Sequence, residues 1–300
     1  NALLQAGLNG AAKCHLYPLD GVFSSAQTLN IDFPCEIRGL GRDRTTLQSG
    51  VALDTFIKLA HADTLLSGCH LTGAASGGSF GGAVAMTAAG VVSNCLFTGN
   101  TSSGHGKAGR GGVIYANAGR IVDCEMSGNG DEYTSTVYLD GYASIDRCVV
   151  TNNFGGYYHH TYGGAGLSIG NGYVTNRNLL VAYNRNLDQA GAGVQVLGGY
   201  PVFENCTIVS NRISGGGFVD AASPAGFSQA SSGFSTVRNC ILADNVNEGG
   251  EGNVINLVTG TYLLATYSCA PELVSGVGNR PDDPRFKDAA RGDYHLKSDS

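Results

Sequence analysis

VVSNCLFTGN, residues 91–100, is the stretch on which the fold turns. A cysteine opens a short apolar run, and an asparagine closes it five residues later. The same unit returns along the chain. DCEMSGN ends at Asn129, RCVVTNN at Asn153, NCTIVSN at Asn211 and NCILADN at Asn245. NLLVAYN ends at Asn184 with Leu179 in the cysteine position, and GCHLTGA keeps Cys69 but has Ala74 where the asparagine belongs. Successive cysteine positions (69, 95, 124, 148, 179, 206, 240) lie 26, 29, 24, 31, 27 and 34 residues apart. A fixed motif at irregular spacing means constant strands joined by variable loops, the mark of a solenoid.

Each unit carries a second marker. GGAVAM starts at Gly81, GGVIYA at Gly111, GGAGLSI at Gly163 and AGAGVQV at Ala190. These runs alternate, so one face is buried. A third, weaker run precedes each cysteine position, as in GRIVDC, ASIDRC and PVFENC. Three short strands per turn of roughly 24–30 residues describe an all-β, right-handed parallel β-helix of three-strand coils, stacked at about 4.8 Å. Equivalent residues then form ladders. The closing asparagines are expected to stack at a corner, adopting the left-handed turn that asparagine tolerates, in a structural role. The cysteines at 69, 95, 124, 148, 206 and 240 are expected to form a buried ladder of reduced thiols.

Composition agrees. Glycine is 46 of 300 residues, charged residues are 14%, and tryptophan is absent. Net charge is −6 with no basic run, which argues against nucleic acid as a partner. No stretch of about 18 apolar residues occurs, so no transmembrane helix is expected. The nine cysteines include no CxxC pair, so a zinc site has no support. Cys14, Cys35 and Cys269 lie outside the array, and spacing alone does not decide a Cys14–Cys35 bridge. The chain divides into an N-terminal cap and entry strand (1–30), with ALLQAGLNGAA as a short amphipathic helix, the β-helix (31–270) and a C-terminal tail (271–300). The start at Asn1, with no signal peptide in view, reads as a mature or trimmed form.

The GGAV and FTGN elements resemble the repeats of chlamydial polymorphic outer-membrane proteins. More broadly, the chain is similar to bacterial right-handed parallel β-helix proteins of the pectate-lyase-like superfamily. The tail DDPRFKDAARGDYHLKSDS, residues 282–300, resembles segments that precede a surface anchor. The resemblance implies a secreted protein of the bacterial cell surface. It does not fix activity, because lyases, hydrolases, epimerases and adhesins share this architecture.

Length variation concentrates between each closing asparagine and the next glycine doublet. The insertions are TSSGHGKAGR (101–110), GDEYTST (130–136), FGGYYHHTYG (154–163), RNLDQA (185–190), a long one at 212–233, and VNEGGEG (246–252). All leave the coil at one corner, so stacking gathers them along one edge, where loops on a rigid scaffold build sites. A polysaccharide lyase acting by β-elimination needs a cation for the uronate carboxylate, a base for the C5 proton and an acid for the leaving oxygen. Arg110 or Lys107, His159 or His160, and Tyr158 are the candidates. Tyr133, Tyr157 and Tyr162 offer sugar platforms, with Asp131, Glu132 and Arg185 as further substrate contacts. The rival expectations are a non-enzymatic adhesin or glycan-binding surface protein, and a glycoside hydrolase with paired carboxylates. For the hydrolase, Asp131, Glu132 and Asp140 are available, Asp140 reading better as a turn residue of LDGY. No cofactor is expected. Calcium is a weaker option on oxygens of Asp131, Glu132, Glu248 or Glu251. Arg291-Gly292-Asp293 reads as part of the tail and not as an adhesion tripeptide.

Overall fold

The structure, a computed structural model, describes residues 13–17, 20–76, 81–102, 112–131, 135–155, 164–187, 190–215, 222–230, 232–250, 253–257, 262–298 and 300. One coil shows the plan. The chain runs through Val84–Met86, Val91–Ser93, Leu96–Thr98 and Thr101–Ser102 before the next coil begins at Ile114–Ala116. Each strand pairs in parallel with its equivalent one coil on, as in Val84 with Ile114, Val92 with Ile121, Phe97 with Met126 and Thr101 with Gly130. The result is a right-handed parallel β-solenoid, the hand that right-twisted strands impose on parallel crossovers.

Four sheets run along it. A doublet sheet of eight strands follows the glycine pairs, and an entry sheet of ten precedes the cysteines. An exit sheet of nine lies between cysteine and asparagine. These are the three the repeat foretells. A fourth, short sheet of eight two-residue rungs follows the asparagines; its last rung, Asn253–Val254, pairs antiparallel with Val246–Asn247. Two residues carry no readable alternation, so the sequence pattern passes over it. The ladders take in Cys14–Leu16, Gly21–Ser25 and Leu29–Ile31 from the segment read as cap and entry strand. The amphipathic segment at 2–12 lies outside the described residues.

In the entry and exit sheets the middle residue of each three-residue strand points inward. Val92, Ile121, Ile145, Phe97, Met126 and Val150 are accordingly buried in one continuous core. Phe203 and Phe227 meet edge to face inside it, centroids 5.1 Å apart. The cysteine ladder lies where expected. Cys69, Cys95, Cys124, Cys148, Cys206 and Cys240 are free thiols, at most 2% exposed. Each engages backbone, as when Cys124 Sγ accepts the Cys95 N–H at 3.5 Å and donates to the Val122 carbonyl at 3.2 Å. Burial pushes the Cys69 thiol up to about 11, which disfavours its reactive thiolate.

The asparagines stack as foreseen but not by the expected conformation. The left-handed residue is the one before each ladder member: Asn152 before Asn153, Tyr183 before Asn184, Ser210 before Asn211, Asp244 before Asn245. The same holds one corner earlier, with Asn94, Asp123, Arg147, Asn205 and Asn239 before the cysteines. The ladder asparagines instead turn their amides inward. Asn129 Oδ1 accepts the Asn100 N–H at 3.1 Å and the Asn100 Nδ2 at 3.0 Å, while Asn129 Nδ2 donates to the Phe97 carbonyl. The chain of amides runs through Asn153, Asn184, Asn211 and Asn245 to Asn256, and ends on the Glu272 carboxylate, 2.6 Å from the Asn256 N–H.

The tail closes against the exit sheet. Phe286–Asp288 and Asp293–Leu296 form an antiparallel hairpin. Phe286, Ala289 and Tyr294 cover Ala182, Val209 and Ala243, small apolar residues on that sheet's outer face. Tyr183 Oη donates to the Ala289 carbonyl at 3.0 Å and Tyr294 Oη to Ser210 Oγ at 3.2 Å.

Candidate functional site

The insertions share one root. The second residues of the short-sheet rungs, Ser102, Asp131, Gly155, Asn186, Ile213 and Asn247, stack in register. After each rung the chain crosses to the doublet sheet, so the described ends that flank the insertions lie along one edge of the solenoid. Of the residues singled out there, Lys107, Arg110, Glu132, Tyr133, Tyr157, Tyr158, His159, His160 and Tyr162 lie outside the described residues. Asp131 is described as backbone only, pairing with Ser102 and Gly155. Arg185 is described in full.

Arg185 belongs to a column that faces outward at the foot of the insertions. Gly130, Phe154, Arg185 and Arg212 occupy consecutive rungs in register, about 4.8 Å apart. Phe154 is 41% exposed. Its neighbour on one side is Gly130, which has no side chain to cover the ring, and on the other Arg185. Arg185 Nε donates to Ser214 Oγ, and no carboxylate pairs with it among the described residues. Arg212 pairs with Glu248. Beside them Tyr183, Ser210, Asp244 and Val246 complete a shallow cavity of about 290 Å³. A partly exposed aromatic ring next to a guanidinium with no acid partner among the described residues suits a sugar ring bearing a carboxylate.

Across the insertions, the outer face of the doublet sheet carries Tyr115, Tyr138, Ser168 and Gln195 in register. All are at most 8% exposed. Ser168 Oγ and Gln195 Oε1 have no hydrogen-bond partner among the described residues. Asp140 lies at the end of this row. Its Oδ1 accepts the Asn171 N–H from the next coil at 2.7 Å, and its carbonyl accepts the Ala143 N–H. That is the work of a turn residue. The sequence reading named none of Tyr115, Tyr138, Ser168 or Gln195. Their signal was the polar or aromatic middle residue in IYA, VYL, LSI and VQV, hidden by the apolar residues on either side.

A second outward row was also missed, although GYAS, GYVT, GYPV and GFST spell it at residues 141, 172, 199 and 233. Tyr142, Tyr173 and Tyr200 are 76%, 59% and 57% exposed, and Phe234 and Tyr262 continue the row. Left-handed glycines set the corner. A Cβ on Gly172 would lie 2.2 Å from the Gly141 carbonyl oxygen, so no other residue fits. The rings stack on each other, Tyr142 on Tyr173 at 5.9 Å and Tyr173 on Tyr200 at 5.4 Å, nearly parallel. Tyr173 is thereby stacked on both faces, and the row stiffens the corner.

Glu248 is engaged by Arg212, Glu251 lies outside the described residues, and no cluster of three metal-binding side chains exists among those described. No helix among the described residues is long and apolar enough to cross a membrane. In the tripeptide of the tail, Asp293 is hydrogen-bonded to His295 Nδ1 at 2.6 Å. No protein-family model matches the chain, and no curated protein matches it.

Proposed function

We propose that this protein is an extracellular, surface-attached β-solenoid that binds an acidic polysaccharide along its insertion-bearing edge and cleaves it by β-elimination. The observation that carries the reading is the column Gly130–Phe154–Arg185–Arg212. Phe154 offers a partly exposed ring to the apolar face of a pyranose. Arg185 offers a fork of donors to the carboxylate of that sugar or the next. Strand spacing sets these groups at a repeat of about 4.8 Å, comparable to the length of one sugar residue in an extended chain. The column also lies at the root of the insertions that contain Arg110, Lys107, Tyr158, His159 and His160, the residue types that a uronate-directed elimination requires. The resemblance of the GGAV and FTGN repeats to bacterial surface β-helix proteins supports the cell-surface location.

The test is a panel of uronic-acid polysaccharides, read first by affinity electrophoresis and then by ultraviolet absorbance of the unsaturated product. Phe154→Ala and Arg185→Ala should each weaken retention by about tenfold, roughly one lost hydrogen bond to a charged group or one stacking contact. Retention without any turnover would replace the lyase by a glycan-binding adhesin. Retention of neutral glycans alone, or unchanged retention in both variants, would remove the acidic-glycan reading.

A further inference from the structure

Eight of the nine cysteines fall into two kinds. Those of the ladder are held from both sides by neighbouring coils, and their sulfurs hydrogen-bond to backbone. Cys14 and Cys35 are different. They occupy the first two described rungs of the entry sheet and pair directly in register. Both side chains are buried and both thiols are free. The next residue of the column is Thr64, so no third thiol continues it.

We propose that Cys14 and Cys35 are a disulfide site that closes the first coil into a covalent ring under oxidising conditions. In-register parallel neighbours have Cα atoms about 4.8 Å apart, inside the range that a disulfide spans. Their Cβ atoms start at a similar distance, a few tenths of an ångström beyond the usual disulfide separation. One strand must therefore shift toward the other. Cys14–Leu16 is the terminal strand of its sheet among the described residues, paired on one side only, to Cys35–Arg38. No described strand lies on its other side to lose a pairing when it shifts. Cys124, between Cys95 and Cys148, cannot approach one neighbour without leaving the other. The same sheet geometry thus permits a bridge at the end and opposes it within the ladder. Access points the same way: Cys14 is 8% exposed, against 0–2% for the ladder.

The reaction needs a small-molecule disulfide as oxidant. The Cys14 thiolate attacks one of its sulfurs, forming a mixed disulfide and releasing one small thiol. Cys35 then loses its proton to solvent, attacks the Cys14 sulfur and releases the second. One oxidant disulfide becomes two thiols for each bridge formed. Burial and the neighbouring sulfur push the Cys35 thiol up to about 12, which slows the closing step at neutral pH and makes it faster in alkali. A bridge from 14 to 35 encloses the Gly21–Ser25 and Leu29–Ile31 strands, so it ties a whole coil and not a local turn.

The experiment incubates the native full chain with oxidised glutathione, blocks remaining thiols, and maps peptides without reduction. The expected result is one bridge, Cys14–Cys35, leaving seven of the nine cysteines alkylated (9 − 2 = 7). The melting temperature of the oxidised form should rise and return on reduction. Cys14→Ala should keep all eight remaining thiols after the same treatment. Nine free thiols in the wild type, or a bridge between ladder cysteines, would overturn the proposal. The wild-type map decides the matter even if the variant folds poorly. The outcome is independent of glycan binding.

Discussion

Two rows of asparagine run along the solenoid, one inside and one outside. The inner row is Asn100, Asn129, Asn153, Asn184, Asn211, Asn245 and Asn256, each at most 2% exposed. The outer row occupies the corner before the cysteines. There Asn239 Nδ2 donates to Asn205 Oδ1, Asn205 Nδ2 to Asn178 Oδ1, and Asn178 Nδ2 to Asp146 Oδ1. Both rows are chains of side-chain amides, and both end on a carboxylate, Glu272 within and Asp146 without. They differ in solvent. An inner amide that loses its partner has no water to replace it, whereas an outer one does. The outer residues are also selected for their backbone, since asparagine tolerates the left-handed region. The inner ones are selected for an amide that can donate and accept at once. Burial, more than residue type, sets what each is worth.

The largest effect should come from the middle of the inner row. Asn184→Ala removes the acceptor of the Asn153 N–H and Nδ2 and the donor to the Val150 carbonyl. Several buried polar groups are orphaned together, at about 1–3 kcal/mol each, so a loss of about 3 kcal/mol or more is expected in urea unfolding. A loss under about 1 kcal/mol would show that the two rows do not differ as argued.

The comparison also explains how much could be read from the sequence. The fold was legible because ladder positions repeat at strand-to-strand equivalence: Cys95, Cys124 and Cys148, or Asn100, Asn129 and Asn153, fill one slot with one residue type. What the residue does in that slot was less legible. NN at 152–153 does not say which asparagine takes the left-handed turn and which turns inward. Asn256 escaped notice because it arrives 11 residues after Asn245, just past a strand that runs back antiparallel. At the candidate site, Arg185 was found as a polar residue in an insertion. Phe154 was passed over, since its value comes from having Gly130 beside it, a neighbour 24 residues away. Pairing across coils is a three-dimensional fact that an irregular repeat length conceals.

A smaller effect should mark the end of the inner row. Glu272 Oε1 accepts the Asn256 N–H at 2.6 Å and its Nδ2 at 3.3 Å. Glu272→Gln keeps one carbonyl acceptor but loses the charge, and should cost about 1 kcal/mol; Glu272→Ala should cost about 2 kcal/mol. Equal costs for the two would mean that the charge, and not the acceptor, terminates the ladder.

The outer row should respond less still, and in a different way. Asn205 has φ 55°. Asn205→Ala should cost about 1 kcal/mol, the strain of a left-handed alanine. Asn205→Gly should be near neutral, because glycine adopts that conformation freely. Thermal melts of the pair separate backbone from side chain. If glycine is as costly as alanine, the outer amide chain carries more than the backbone argument allows.

The smallest expected effect is that of acid, and it should fall on the outer surface alone. Hydrogen bonds from Lys13 and Arg38 hold the Glu36 carboxyl down at about 2. Arg147, 2.7 Å from Asp123, lowers that carboxyl, and Arg177 and Arg238 lower Glu204 between them. A carboxyl depressed in the folded state contributes stability above its unfolded value, about 4. That contribution fades as pH falls from there toward the folded value, which for Glu36 means a window from about 4.5 to about 2. Their lysine and arginine partners are about half exposed to solvent, so the fall should be shallow and should shrink further in high salt. Melting temperatures from pH 7 to pH 3, at low and high salt, measure it. Asp123→Asn should remove its share of the acid fall, while the deficit of Asn184→Ala should stay constant between pH 7 and pH 5. A deficit that varies with pH over that range would mean that charge reaches the inner row, and the division between the two rows would fail.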